Sequence, residues 1–293
     1  MITLSIITPT YNRVAYLQHC FDSLQRQTCF DFEWIIVDDG SSDGTQNVVS
    51  AFSTDRFPII TIRKENGGKH TALNAAHPYI HGRYVLILDS DDVIVPTAVQ
   101  EVIDAWMRYE QDPKVGIVTF LKGTDKEHPV CGVPDYSVPV EIMRYRRIRY
   151  TRSDCCEVIR SELFKKYPFP VFEGERFLSE CALWDRVSFT HQCVYIDSVI
   201  YLCEYLEDGL TRSGRRLRMQ NPLGGMFTSN LRMDRKNYFS ERIKNGLLYT
   251  CYGCVAGKSM GQQLRESRFP ILALACYPFG YCLSRAWKKK YAR

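Results

Sequence analysis

At 293 residues, with 45% hydrophobic and 24% charged side chains, the chain is ordinary for a globular protein with a sizeable core. A net charge of +5 is too mild to demand nucleic acid, although it admits an anionic ligand or a membrane surface. The N-terminus runs into a strand with no basic leader, no stretch has the length of an ordinary transmembrane helix, and the twelve scattered cysteines read as reduced thiols. A cytoplasmic protein is therefore expected.

Leu4 to Thr8 is the first predicted strand, followed by the turn Pro9-Thr-Tyr-Asn12 and a helix with apolar Val14, Leu17, Phe21 and Leu24 on one face. Glu33 to Val37 is the second strand and ends in Asp38-Asp39-Gly40-Ser41-Ser42-Asp43-Gly44, a loop rich in acids and glycines with a helix-capping candidate. A helix over 44–52 and a strand at Ile59 to Ile62 follow. Asn66-Gly-Gly-Lys-His70 makes a glycine turn into a helix over Thr71 to Ala76, and backbone amides at a helix start beside Lys69 suit phosphate. The spacing is not that of a P-loop.

The run Tyr84 to Leu88 is a buried strand closed by Asp89-Ser90-Asp91-Asp92. Carboxylates crowded at a strand end repel one another unless a cation shares them, and hard ions such as Mg2+ or Mn2+ take carboxylates completed by substrate phosphates. The bland alternative is a helix cap with solvated neighbours. A helix near Pro96 to Glu110 and a strand at Gly116 to Leu121 complete five strand–helix alternations, which predict a doubly wound α/β domain with a mostly parallel sheet.

Beyond residue 121 regularity fades. Residues 122–140 read as a surface excursion, and Glu141 to Arg152 as a basic, aromatic helix face. Ser153-Asp154 predicts the cap of a helix reaching Lys166. A further helix carries Leu183, Trp184 and Val187, and two strands are expected at Cys193 to Ile196 and Val199 to Tyr205. Arg212, Arg215, Arg216 and Arg218 crowd a glycine-containing loop, residues 234–257 read as a helix, and the C-x-x-C of Cys251 and Cys254 lacks the second pair that structural zinc would need. Phe269 to Leu283 is apolar and precedes Arg285, Trp287 and Lys288 to Lys290. That pattern fits a helix lying in a membrane interface, or one packed on the protein with a basic tip.

These motifs together resemble the inverting family 2 glycosyltransferases of the GT-A fold. Ser5-Ile-Ile-Thr-Pro-Thr-Tyr-Asn12 is similar to that family's opening strand and turn, and Glu33 to Thr45 to its second signature. Asn66-Gly-Gly-Lys69 and Asp89-Ser-Asp-Asp92 follow in the family's order. The resemblance spans roughly residues 1–210. It implies a glycosyltransferase domain over 1–215, with a nucleotide-binding half at 1–121 and an acceptor half at 122–215. Residues 216–293 would be a helical, membrane-associating extension.

The resemblance also implies roles. Asp39 would accept a hydrogen bond from the donor's nucleobase, uracil above all, with Pro9 and Tyr11 lining the pocket. Asp89 would sit near the ribose and contribute to the metal site, Asp91 would ligate Mn2+ or Mg2+, and Lys69, Arg212 and Arg215 would contact the diphosphate. Glu180 would be the general base with Asp185 in reserve, although the family's usual Glu-Asp pair reads Glu180-Cys181 here. The expected partners are a nucleotide-sugar donor and a glycan or lipid-linked acceptor, with no nucleic acid. A polyprenyl-phosphate sugar synthase and a non-catalytic nucleotide-sugar-binding protein are the rival readings. A sugar nucleotidyltransferase would need a glycine-rich, basic signature where Pro9 to Arg13 stands.

Overall fold

The structure is a computed structural model that describes residues 2–130, 132, 136–145, 155–203 and 210–291, without the side chains of 144, 145 and 210–213. Most of the basic run at 141–152, Ser153 and Asp154, and the side chain of Arg212 lie outside the described residues. The chain divides into two compact units: Met1–Phe169 with Thr190–Glu204, and Pro170–Phe189 with Tyr205–Arg293.

The first unit is a mixed sheet flanked by helices. Its strands are β1 (Leu4–Thr10), β2 (Phe32–Asp38), β3 (Ile59–Arg63), β4 (Tyr84–Ile87), β5 (Val93–Ile94), β6 (Val115–Gly123), β7 (Pro139–Val140), β8 (Cys155–Arg160) and β9 (Gln192–Leu202). Its helices are α1 (Leu17–Gln25), α2 (Thr45–Ala51), α3 (Lys69–Ala75), α4 (Ala98–Tyr109), α5 (Ile142–Tyr145) and α6 (Ser161–Lys166). The strand order is β3-β2-β1-β4-β8-β6-β9-β5, with β7 on β9. β3, β2, β1 and β4 run parallel, so the loops leaving them emerge on one edge.

Every residue of β1 and β2 is buried, as expected of strands covered on both faces. Pro9 is tolerated in β1 because β4 pairs only as far as Ile7, leaving β2 as the sole neighbour there. Leu17, Cys20, Phe21 and Leu24 of α1 face the sheet, and Phe21 stacks on Trp34. On α4, Ala98, Val99, Val102, Ala105 and Trp106 are buried, and Trp106 stacks on Tyr84 at 4.2 Å. Arg160 donates to the carbonyls of Glu110, Asp112 and Val115 at 2.8–3.1 Å, tying the turn between α4 and β6 to β8.

Two expectations change. The helix expected from Ser153 to Lys166 is α6 preceded by β8, which runs antiparallel between β4 and β6. The Cys155-Cys156-Glu157-Val158-Ile159-Arg160 segment buries four of its residues there, and two-sided pairing outweighs the capping signal before it. The two strands expected after Cys193 are one strand, β9, whose register against β6 slips between Tyr195 and Val199 and so absorbs the polar Asp197-Ser198.

The second unit is helical: α7 (Cys181–Val187), α8 (Leu210–Gln220), α9 (Pro222–Arg232), α10 (Phe239–Val255), α11 (Met260–Glu266) and α12 (Pro270–Tyr291). Met226, Met233, Tyr249, Cys251, Tyr252, Ala273 and Trp287 form its core. Among the described residues no helix is long and apolar enough to cross a membrane.

Candidate active site

The loops after β1, β2, β3 and β4 meet at one sheet edge because the strands are parallel. They are fastened to one another by side chains. Asn12 adopts φ 53°, a left-handed conformation that asparagine tolerates. Its N–H donates to Ser41 Oγ at 2.9 Å and its Oδ1 accepts from Ser42 N–H at 2.9 Å. Gly40 has φ 81°, and a side chain there would meet the Asn66 amide at 2.9 Å, so the β2 and β3 loops touch only because residue 40 is glycine.

Asp39 is buried and holds this edge together. Its Oδ1 accepts from Lys64 Nζ at 2.6 Å and from Gly67 N–H at 3.1 Å, while Oδ2 accepts from Gly68 N–H at 2.7 Å. The acid of the second signature therefore shapes the glycine turn, and Gly68, at φ 92°, aims the first turn of α3. Lys69 opens that helix and its ammonium pairs with Asp89 Oδ1. Tyr11 stands exposed on the same edge.

Asp89, Asp91 and Asp92 occupy unlike surroundings. Burial disfavours charge on Asp89, but Lys69 and then Lys122 outweigh it and hold the carboxyl below the usual range. Asp91 is pushed up by burial and by the charge of Asp89, and Arg13 faces it at 3.8 Å. Asp92 is pushed up to about 7 by burial and by Asp89. The Asp89 N–H donates to Tyr201 Oη at 2.9 Å, Tyr201 also hydrogen-bonds Asp92, and Lys122 Nζ lies 4.0 Å from the Tyr201 ring centre.

Arg13, Lys64, Lys122 and Tyr201 thus belong to the site, although the sequence reading singled out none of them. Lys64 was findable, because it follows a parallel strand whose neighbours end on this edge. Lys122 and Tyr201 are brought together only by the β6–β9 register, in which they are partners.

In the second unit, Glu180 precedes α7, and its carbonyl accepts from Leu183 and Trp184 at 2.8 and 3.3 Å. The segment leading to it is anchored on α9. Glu175 accepts from the Leu223 and Gly224 amides at 2.5 and 2.8 Å, where the helix dipole favours an anion. Asn221 Oδ1 accepts from Arg176 and Phe177 N–H at 2.8 and 3.1 Å. Asp185 is buried and bound by Arg232 Nε at 2.5 Å, so its carboxylate ties α7 to α9. The Arg215 guanidinium lies 4.5 Å from the Trp287 ring centre, stacked on α12. The side chain of Arg212 lies outside the described residues.

The sequence model of the family described as Glycosyl transferase family 2 matches residues 5–167, more than half of the chain. The chain belongs to this family. Along most of its length it is also similar to GlyG, a glycosyltransferase of Streptococcus pneumoniae serotype 4: 30% identity over 263 residues, 84% of this chain and 81% of GlyG. It is 34% identical over 113 residues to GlyA of the same organism, covering 39% of this chain but only 16% of GlyA. The chain therefore spans a small part of that longer relative. Two solved structures share the fold. S. aureus TarS 1–349, in complex with UDP-GlcNAc, has a TM-score of 0.61 at 18% identity, covering 98% of this chain and 92% of that one. The mannosyltransferase PcManGT of Pyrobaculum calidifontis, in complex with GDP-Man and Mn2+, has a TM-score of 0.57 at 17% identity over 99% and 84%.

For a family 2 glycosyltransferase the question of a metal turns on the aspartates. Among the described residues no group of three or more His, Cys, Asp or Glu side chains could hold an ion unaided. The donor set fits a cation that a diphosphate helps to bind: two oxygen-bearing side chains, with Asp91 raised by burial and by the charge of Asp89.

Proposed function

We propose that this glycosyltransferase moves a sugar from a nucleotide-sugar donor, with UDP as the nucleotide, to a hydroxyl acceptor with inversion at the anomeric carbon. The observation that carries the reading is the single edge on which Asp39, the glycine turn, Lys69, Asp89 and Asp91 converge. UDP is favoured by the complex of TarS with UDP-GlcNAc, and GDP is the rival because PcManGT binds GDP-Man.

Asp39 accepts the uracil N–H on the one Oδ2 lone pair that Lys64 and the glycine turn leave open, with Pro9 and Tyr11 beside the base. Asp89, held in place by Lys69 and Tyr201, meets the ribose. Asp91, with Asp89, would hold Mn2+ or Mg2+, and the bound ion supplies positive charge to the departing diphosphate. Lys69, Arg212 and Arg215 add cationic charge for the same phosphates. The acceptor oxygen bonds to the anomeric carbon as the bond to the diphosphate breaks, and Glu180 takes the hydroxyl proton. Glu180 is preferred to Asp185 because Asp185 is committed to Arg232.

The acceptor is a glycan or a lipid-linked sugar, and the enzyme works in the cytoplasm, peripherally on the inner face of the membrane. In this reading residues 1–121, joined by Lys122 and Tyr201, hold the nucleotide, the segment around Glu180 faces the acceptor, and 216–293 form the extension. Calorimetric titration with UDP, GDP and dTDP, each with and without Mn2+, tests the donor site. Tight binding of UDP only with metal is expected, and a preference for GDP would overturn the nucleotide assignment. Glu180→Gln should retain UDP binding and lose transfer by roughly 100-fold or more, the scale of general base catalysis. Unchanged turnover would move the base elsewhere.

A further inference from the structure

We infer that the outward face of α12, with its cationic C-terminal end, docks on an anionic lipid surface. The inference rests on the peripheral placement proposed above and is independent of the transfer chemistry.

The inward face of α12 is explicit. Ala273, Cys276, Gly280, Ser284 and Trp287 are buried, at helical spacing. Small residues let it lie close to α10: a side chain at Gly246 would meet Cys276 Sγ at 2.7 Å, and one at Gly280 would overlap Thr250 Oγ1. The opposite line of the helix runs through Ile271, Leu274, Pro278, Cys282, Arg285 and Lys289, all exposed. Ile271 is 85% exposed and Phe279, on its flank, 69%. The neighbouring α10 adds Phe239, 70% exposed, and Ile243, whose carbonyl accepts from the Cys276 thiol at 3.8 Å. Side chains of this size left in water on one face form a patch that needs a partner.

Charge identifies the partner. The apolar line leads into Arg285 and Lys289, with Lys288 and Lys290 exposed beside them. Arg215 stacks on the inward-facing Trp287, so the charge on the outward face is that of α12 itself. The helix α12 contains no aspartate or glutamate. Apolar side chains in line with cations on a helix unable to span a bilayer match one lying among headgroups, its apolar face toward the acyl chains and its cations on anionic lipid.

The test is co-sedimentation of the full chain with vesicles of phosphatidylcholine alone or mixed with phosphatidylglycerol, at low and high salt. Binding to the mixed vesicles that weakens with salt is expected. Lys289→Gln with Lys290→Gln should weaken it roughly 30-fold, the worth of two cations at an anionic surface. Ile271→Asn with Phe279→Ser should remove the binding that survives high salt. No binding to mixed vesicles, or equal binding by either double variant, would overturn the inference. So would a dimer in light scattering that the Ile271/Phe279 variant abolishes, since the face would then serve a second copy. Titration with UDP runs in parallel: failure there with vesicle binding intact would count against the transferase reading alone.

Discussion

Asp39 shows how a motif residue can be read correctly as important while its first structural duty stays hidden. The sequence offers an acid after a buried strand. Only the folded edge reveals that it satisfies two backbone amides of a turn nearly thirty residues later, and neutralises Lys64. Asp39→Ala leaves those N–H groups without their acceptor and the ammonium without its counter-charge, held by Glu65 O and Thr71 Oγ1 alone. A loss of about 3–5 kcal/mol is expected, the range for breaking a buried pair from one side. Urea unfolding measures it, and titration with UDP should show binding lost as well. A cost below about 1 kcal/mol would mean that water replaces the carboxylate and that the turn holds its own shape. Tyr201 is the opposite case. Nothing in the local sequence marks it, because its role at Asp89 and Asp92 depends on a strand pairing that joins residues far apart in the chain.

At the scale of elements, the first 121 residues were legible because each strand and helix carries its own period, and parallel strands covered on both faces are continuously apolar. β8 was not, since a six-residue antiparallel insert is defined by its neighbours β4 and β6 rather than by its own pattern. The helix α3 and the turn after it carry a prediction of their own. His70 is pushed down by burial, with Asp39 opposing and Lys64 assisting, and His77 is pushed down by burial and by Lys165. Their buried Nδ1 and Nε2 atoms, respectively, have no hydrogen-bond partner among the described residues. Both are thus neutral in the native state at a pH where the unfolded chain already binds protons. The unfolded state takes up more protons as pH falls through about 6.5, so stability is full above that value and declines below it. Each histidine contributes a slope of at most about 1.4 kcal/mol per pH unit. Asp92, pushed up to about 7, works in the opposite sense over the same range. The check is therefore a difference, and between pH 7.5 and 5 (a range set around the free histidine pKa of about 6.5) His70→Gln should lose less melting temperature than the parent chain. An identical pH profile in that variant would assign the acid sensitivity to other groups.

On the scale of the whole molecule, the second unit is assembled from two separate pieces of chain, 170–189 and 205–293, with the strand β9 returning to the first unit between them. The family resemblance implies a boundary at residue 215, where the similar motifs run out. The Glu175, Asn221 and Asp185–Arg232 contacts instead join the segment around Glu180 to α9, on the far side of that boundary. No composition signal marks such a pairing, since it is made by single polar residues. Its energetic consequence is testable in the intact chain. Asp185→Ala leaves the half-buried Arg232 without its counter-charge, and a loss of about 1–3 kcal/mol is expected within the second unit. Hydrogen exchange should accelerate across α7 and α9 and stay slow in β1 and β2. Titration should show UDP binding largely retained, because Asp39, Lys69, Asp89 and Asp91 lie in the first unit, while transfer falls with the loosened Glu180. Accelerated exchange in β1 and β2 would mean that the two units unfold as one. Unchanged exchange in α7 would mean that Glu175 and Asn221 anchor the segment without the ion pair.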